Sequence, residues 1–80
     1  MTTIIGIKVS NRLQSAVAVQ AILTQFGCVI KTRIGLHEER DGQCSPKGLI
    51  LLEIIDDEAA KDVEKQLCEI EEIEIQQMRF

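Results

Sequence analysis

Near the N-terminus Ile5, Ile7 and Val9 alternate with Gly6, Lys8 and Ser10. A period of two marks a strand with one buried face, here from Thr3 to Ser10. The period then changes. Between Arg12 and Phe26 the apolar residues Ala16, Val19, Leu23 and Phe26 recur at helical spacing, so this segment reads as an amphipathic helix. Asn11 stands where a side-chain oxygen can accept from the first free amides. Gly27 stands where a left-handed residue can close the helix. A second strand follows, with Cys28, Ile30, Thr32, Ile34 and Leu36 on one face and Val29, Lys31, Arg33, Gly35 and His37 on the other. His37 to Lys47 is polar and contains Asp41-Gly42 and Ser45-Pro46, which predicts a hairpin connection longer than two residues. Gly48 to Ile55 is the most apolar segment and reads as a central strand covered on both faces. Asp56, Asp57 and Glu58 favour a helix start. That helix runs to about Glu69 with Ala60, Val63, Leu67 and Ile70 on one stripe, and Ile73 with Ile75 opens a last strand ending near Phe80.

The stripe Ala16, Val19, Leu23, Phe26 repeats its spacing in Ala60, Val63, Leu67, Ile70, each with a strand before and after it. Two βαβ halves joined by right-handed crossovers interleave into a four-stranded antiparallel sheet with both helices on one face. The expected fold is therefore α+β, a ferredoxin-like βαββαβ sandwich in a single domain spanning 1–80, with strand order 4-1-3-2. A swapped dimer of βαβ units is the alternative, and the Asp41-Gly42 signal favours the closed monomer.

If Ile5, Ile7, Val9, Ile30, Ile34, Ile50, Leu52, Ile54, Ile73 and Ile75 face the helices, the other parity of every strand faces away. That set contains Ile4, Lys8, Lys31, Arg33, Leu49, Leu51, Glu53, Glu74, Met78 and Phe80. Its charges are expected to alternate from strand to strand as Glu74, Lys8, Glu53 and then Lys31 or Arg33. Its aliphatic residues form a patch that an isolated monomer would rarely leave wet. Ile4, Lys8, Arg33, Leu49, Leu51, Glu53 and Met78 are accordingly the expected oligomer interface. A surface with both signs of charge suits a two-fold assembly. A dimer or tetramer fits equally, and a solvated face with scattered aliphatics is the bland alternative.

Composition narrows the class. Eighty residues make one small domain, 45% apolar and 28% charged, with a formal net charge of −4. The acidic balance argues against an electrostatic nucleic-acid binder, and no apolar run reaches the length of a membrane span. The start, Met1 to Lys8, lacks the pattern of a signal peptide, which predicts a cytoplasmic location. Cys28, Cys44 and Cys68 are odd in number and never paired as C-x-x-C, so free thiols are expected. Cys28 and Cys68 read as small hydrophobes, and Cys44 sits in the polar loop.

Ser10-Asn11-Arg12, Val19 to Leu23, Phe26-Gly27 and Arg33 to Glu38, continued by Gly48 to Ile55 and Ile73 to Phe80, resemble the iron-only hydrogenase system regulator family of small stand-alone ACT-like proteins. The resemblance implies a ferredoxin-like domain that forms oligomers and has a regulatory role connected with iron-only hydrogenase. Related ACT domains bind small effectors, often amino acids, where the loop between first strand and first helix meets a neighbouring subunit. Carried onto this chain, that loop is Ser10, Asn11 and Arg12. Asn11 is better explained as a helix cap, since the position is the one capping requires, and the glycine such effector loops usually carry is missing here. Glu71-Glu72 also stands where such modules often turn on a glycine.

His37, Glu38, Glu39 and Cys44 form the one cluster with metal-binding side chains. His37 and Cys44 are the candidate ligands, short of the four a closed site needs unless an interface supplies the rest. The single His, the lack of G-x-S-x-G and of a glycine-rich phosphate loop, and the unsupported Cys44–His37 pair argue against catalysis, and no cofactor is expected. The chain thus reads as a non-enzymatic regulatory or sensing homo-oligomer that binds a small effector or a protein. The alternatives are a structural interaction subunit without ligand, or an oligomeric metal-binding protein.

Overall fold

The computed structural model describes residues 2–9, 13–40 and 43–80, with side chains for 2–9, 15–35 and 48–80. The elements are β1 (Thr3–Val9), α1 (Leu13–Gln25), β2 (Ile30–Arg40), β3 (Gln43–Ile54), α2 (Asp57–Leu67) and β4 (Ile73–Arg79). The strands form one antiparallel sheet ordered β2-β3-β1-β4, the ferredoxin-like arrangement expected from the two βαβ halves.

Parity dictates where the helices sit. Along β1 the residues Thr3, Ile5, Ile7 and Val9 are buried, while those between are not. Register places Ile5 beside Leu52 and Ile7 beside Ile50 and Ile75. This face meets Val19 and Leu23 of α1 and Ala60, Val63 and Leu67 of α2, with Ala16, Phe26 and Ile70 packed against the same core. Full burial of such a side chain contributes about 1.5–3 kcal/mol, so this face fixes both helices. Ser15 Oγ donates to the carbonyl of Glu71 at 2.9 Å, tying α1 to the turn before β4. On the other flank, Glu64 of α2 accepts from Gln77 Nε2 at 2.8 Å and lies 3.9 Å from the Arg79 guanidinium.

Helix ends follow local chemistry. Asp56 caps α2, its carboxylate accepting from the amides of Glu58 at 2.9 Å and Ala59 at 3.3 Å. Asp57 and Glu58 in the first turn and Lys65 in the last complement the helix dipole. The close of α1 differs from expectation. Gly27 does not take a left-handed conformation; its amide donates to Thr24 O at 3.2 Å, and those of Val29 and Ile30 donate to Phe26 O. The chain leaves α1 through tight turns, so β2 begins at Ile30 and not at Cys28. Cys28 and Cys68 are both exposed in turns and are not small core residues. Among the described residues the left-handed non-glycine residue is Glu72, at φ 64°.

The polar segment expected to be a long connection is mostly strand. β2 reaches Arg40 and β3 starts at Gln43, with Glu39 opposite Cys44 and Arg40 opposite Gln43. Asp41 and Gly42 lie outside the described residues. Register slips between the His37–Gly48 pair and the Glu39–Cys44 pair. Pro46 falls in the irregular stretch between Cys44 and Gly48, the kind of position to which strands confine proline. Paired strands need no alternation of apolar residues when the backbone ladder alone holds them, which is why the pattern hid them.

Candidate functional site

Both helices cover one side of the sheet, and among the described residues no element lies over the other side. Register lays that open face out in rows. Met78, Ile4, Glu53 and Thr32 form one row across β4, β1, β3 and β2; Gln76, Gly6, Leu51 and Ile34 form the next; Glu74, Lys8, Leu49 and Leu36 form the third. Ile34, Leu49, Met78 and Phe80 are 49%, 37%, 58% and 75% exposed, while Ile4 and Leu51 are half-buried.

At the centre of the face lies a trough of about 300 Å³, lined by Ile4, Gly6, Lys8, Leu49, Leu51, Glu74, Gln76 and Met78. Gly6 makes it: a strand residue without a side chain leaves a gap between Leu51 and Gln76. A Cβ built there would lie 3.6 Å from Leu51 Cδ2 and 3.8 Å from the Gln76 carbonyl. The floor is aliphatic, and Lys8 with its cross-strand neighbour Glu74 closes one end. Across the sheet, Glu53 accepts a hydrogen bond from Thr32 Oγ1 at 2.9 Å.

Of the expected interface residues, Ile4, Lys8, Leu49, Leu51, Glu53 and Met78 share this face. Arg33 does not. β2 carries an irregularity between Ile30, opposite Ile54, and Thr32, opposite Glu53. Lys31 is the extra residue, and one inserted residue exchanges the two faces of the strand beyond it. Arg33 therefore lies opposite core-facing Leu52, and its guanidinium donates to Gln20 of α1. Ile34, expected against the helices, comes to the open face opposite Leu51. The row of alternating charges is not formed either. Lys8 has Glu74 on one side and Leu49 on the other, and Glu53 stands between Ile4 and Thr32. Bulges leave no compositional mark here; Gly6 inside a strand was the one signal that could have announced the trough.

Ser10, Asn11 and Arg12, the effector loop implied by resemblance, lie outside the described residues. The side chains of His37 and Cys44 do too; on the backbone ladder His37 is opposite Gly48 and Cys44 opposite Glu39. Among the described residues no group of three or more His, Cys, Asp or Glu side chains is placed to hold a metal. No described helix is long and apolar enough to cross a membrane.

Fold and face together define a ferredoxin-like α+β domain with one sheet surface left open. No protein-family model and no curated protein matches the chain. Solved structures do. An uncharacterised protein of Thermotoga maritima superposes with a TM-score of 0.80 at 19% identity, over 96% of this chain and 92% of that one. A de novo designed protein, Foldit4, gives 0.67 at 12% identity over 100% and 99% of the two chains. The PII-like protein CutA from Nostoc sp. PCC 7120, in apo form, gives 0.50 at 14% identity over 100% of this chain and 81% of that one. At these identities the likeness is one of fold.

Proposed function

We propose that this chain is a non-enzymatic regulatory or sensing module that works as a homo-oligomer assembled through its open sheet face and that binds a small effector or a protein partner. The carrying observation is that face itself, where Ile4, Ile34, Leu49, Leu51 and Met78 are gathered on one side of the sheet with no described helix over them. Contiguous apolar surface of this kind marks interaction sites on small domains. A chain of this length also buries only about 60% of the surface its unfolded form exposes, so a partner adds core it cannot build alone.

The regulatory part of the reading, and its link to iron-only hydrogenase, rests on the resemblance of Ser10 to Glu38 and of the later strands. The non-enzymatic part rests on the residue inventory, with a single His and no nucleophile motif. Light scattering across a concentration series tests assembly. A multiple of the 9.0 kDa chain mass is expected, and a particle of one chain mass at every concentration overturns the reading. Thermal shift against amino acids, nucleotides and divalent metals tests sensing, because a ligand at about a hundred times its Kd adds about 2.7 kcal/mol. An oligomer that answers to none of them is a structural subunit instead.

A further inference from the structure

We infer that the occupant of the open face is a second copy of this chain, packed sheet to sheet about a two-fold axis that sets Lys8 of each copy against Glu53 of the other. The inference rests on the assembly reading above and adds the register in which two copies meet.

Lys8 and Glu53 lie on the adjacent central strands, in the outer rows on opposite sides of the Gly6–Leu51 pair. By strand geometry they are about 13 Å apart along the strands and about 5 Å across them. Their midpoint is therefore the midpoint of Gly6 and Leu51, over the trough. A two-fold axis in the plane of the interface, through that point and perpendicular to the line joining them, exchanges the two charges. On a flat lattice it makes the strands of the two sheets cross at about 40°, near the roughly 30° at which aligned sheets pack. The charge arrangement and the packing preference of twisted sheets thus select the same orientation.

The same operation brings Leu51 close to Leu51 of the second copy and places Leu49 near the second copy's Ile34, so aliphatic groups meet at the centre and charges at the ends. Four strands of about seven residues cover roughly 450 Å² of flat sheet per copy, at the small end of specific interfaces. With so little area, register falls to the charges. Glu53 is held by Thr32 Oγ1, which fixes its carboxylate before docking. Lys8 also neighbours its own Glu74, so its ammonium meets acidic groups from two chains.

The test is a charge exchange on the full chain, with sedimentation or light scattering reading the dissociation constant. Lys8→Glu and Glu53→Lys alone should each weaken assembly about tenfold or more, since like charges then face each other. The double variant should restore it to near the wild-type value. Circular dichroism checks that each variant folds. Raising salt should weaken wild-type assembly without any mutation. An oligomeric wild type whose assembly is indifferent to salt and to either reversal, or a double variant as weak as the singles, overturns this register but leaves assembly standing. A wild type of one chain mass throughout overturns both.

Discussion

Gly6 lies on the open face, away from the helices, and replacing it separates what stabilises the domain from what that face is for. It lies mid-strand in β1 with a backbone conformation open to other residues, and a Cβ at 3.6 Å from Leu51 and 3.8 Å from Gln76 O is in ordinary van der Waals contact. Alanine therefore introduces no clash. It removes unfolded-state freedom worth about 0.4–1 kcal/mol. For a domain of this size each kcal/mol moves the melting temperature by about 4–8 °C, so Gly6→Ala should melt roughly 2–8 °C higher. The assay is thermal unfolding by circular dichroism at several protein concentrations, which separates the folding term from any assembly term. A lower melting temperature at every concentration would refute the reasoning, because it would mean that position 6 faces the packed helices and that the register of β1 is off by one.

Leu51→Glu should reduce self-association by about a hundredfold or more, since it removes aliphatic contact and buries a carboxylate; unchanged mass by light scattering contradicts the sheet-face reading. Glu72→Gly should raise the melting temperature, because a left-handed non-glycine residue costs about 1–2 kcal/mol, less whatever the side chain's own interactions contribute. A fall on that substitution would show those interactions to outweigh the backbone strain.

Alternation and helical spacing were enough to place the core. Ile5, Ile7 and Val9 recur at a period of two, Val19 with Leu23 and Val63 with Leu67 at helical intervals, and all seven are buried. These signals survive because each element has one face in contact with the same core. The reading of β2 failed for a local reason. Lys31 is an extra residue, and every parity assignment beyond it was inverted, which moved Arg33 to the helix side and Ile34 to the open side. Residues 37–40 and 43–47 were hidden differently, since a polar ribbon held by backbone bonds carries no apolar period to read. The glycine that effector loops usually carry is missing at Ser10 to Arg12, whereas the turn glycine missing at Glu71-Glu72 has its left-handed place taken by Glu72.

The first and last strands are neighbours, and Thr2 and Phe80 exchange two backbone hydrogen bonds, at 3.1 and 2.8 Å. Thr2 and Phe80 thus lie at one corner of the sheet. Tension applied between them would load the β1–β4 ladder one rung at a time, peeling β4 away like a zipper instead of shearing all rungs together. The molecule should yield at low force along that line, while the β1–β3–β2 part of the sheet stays paired.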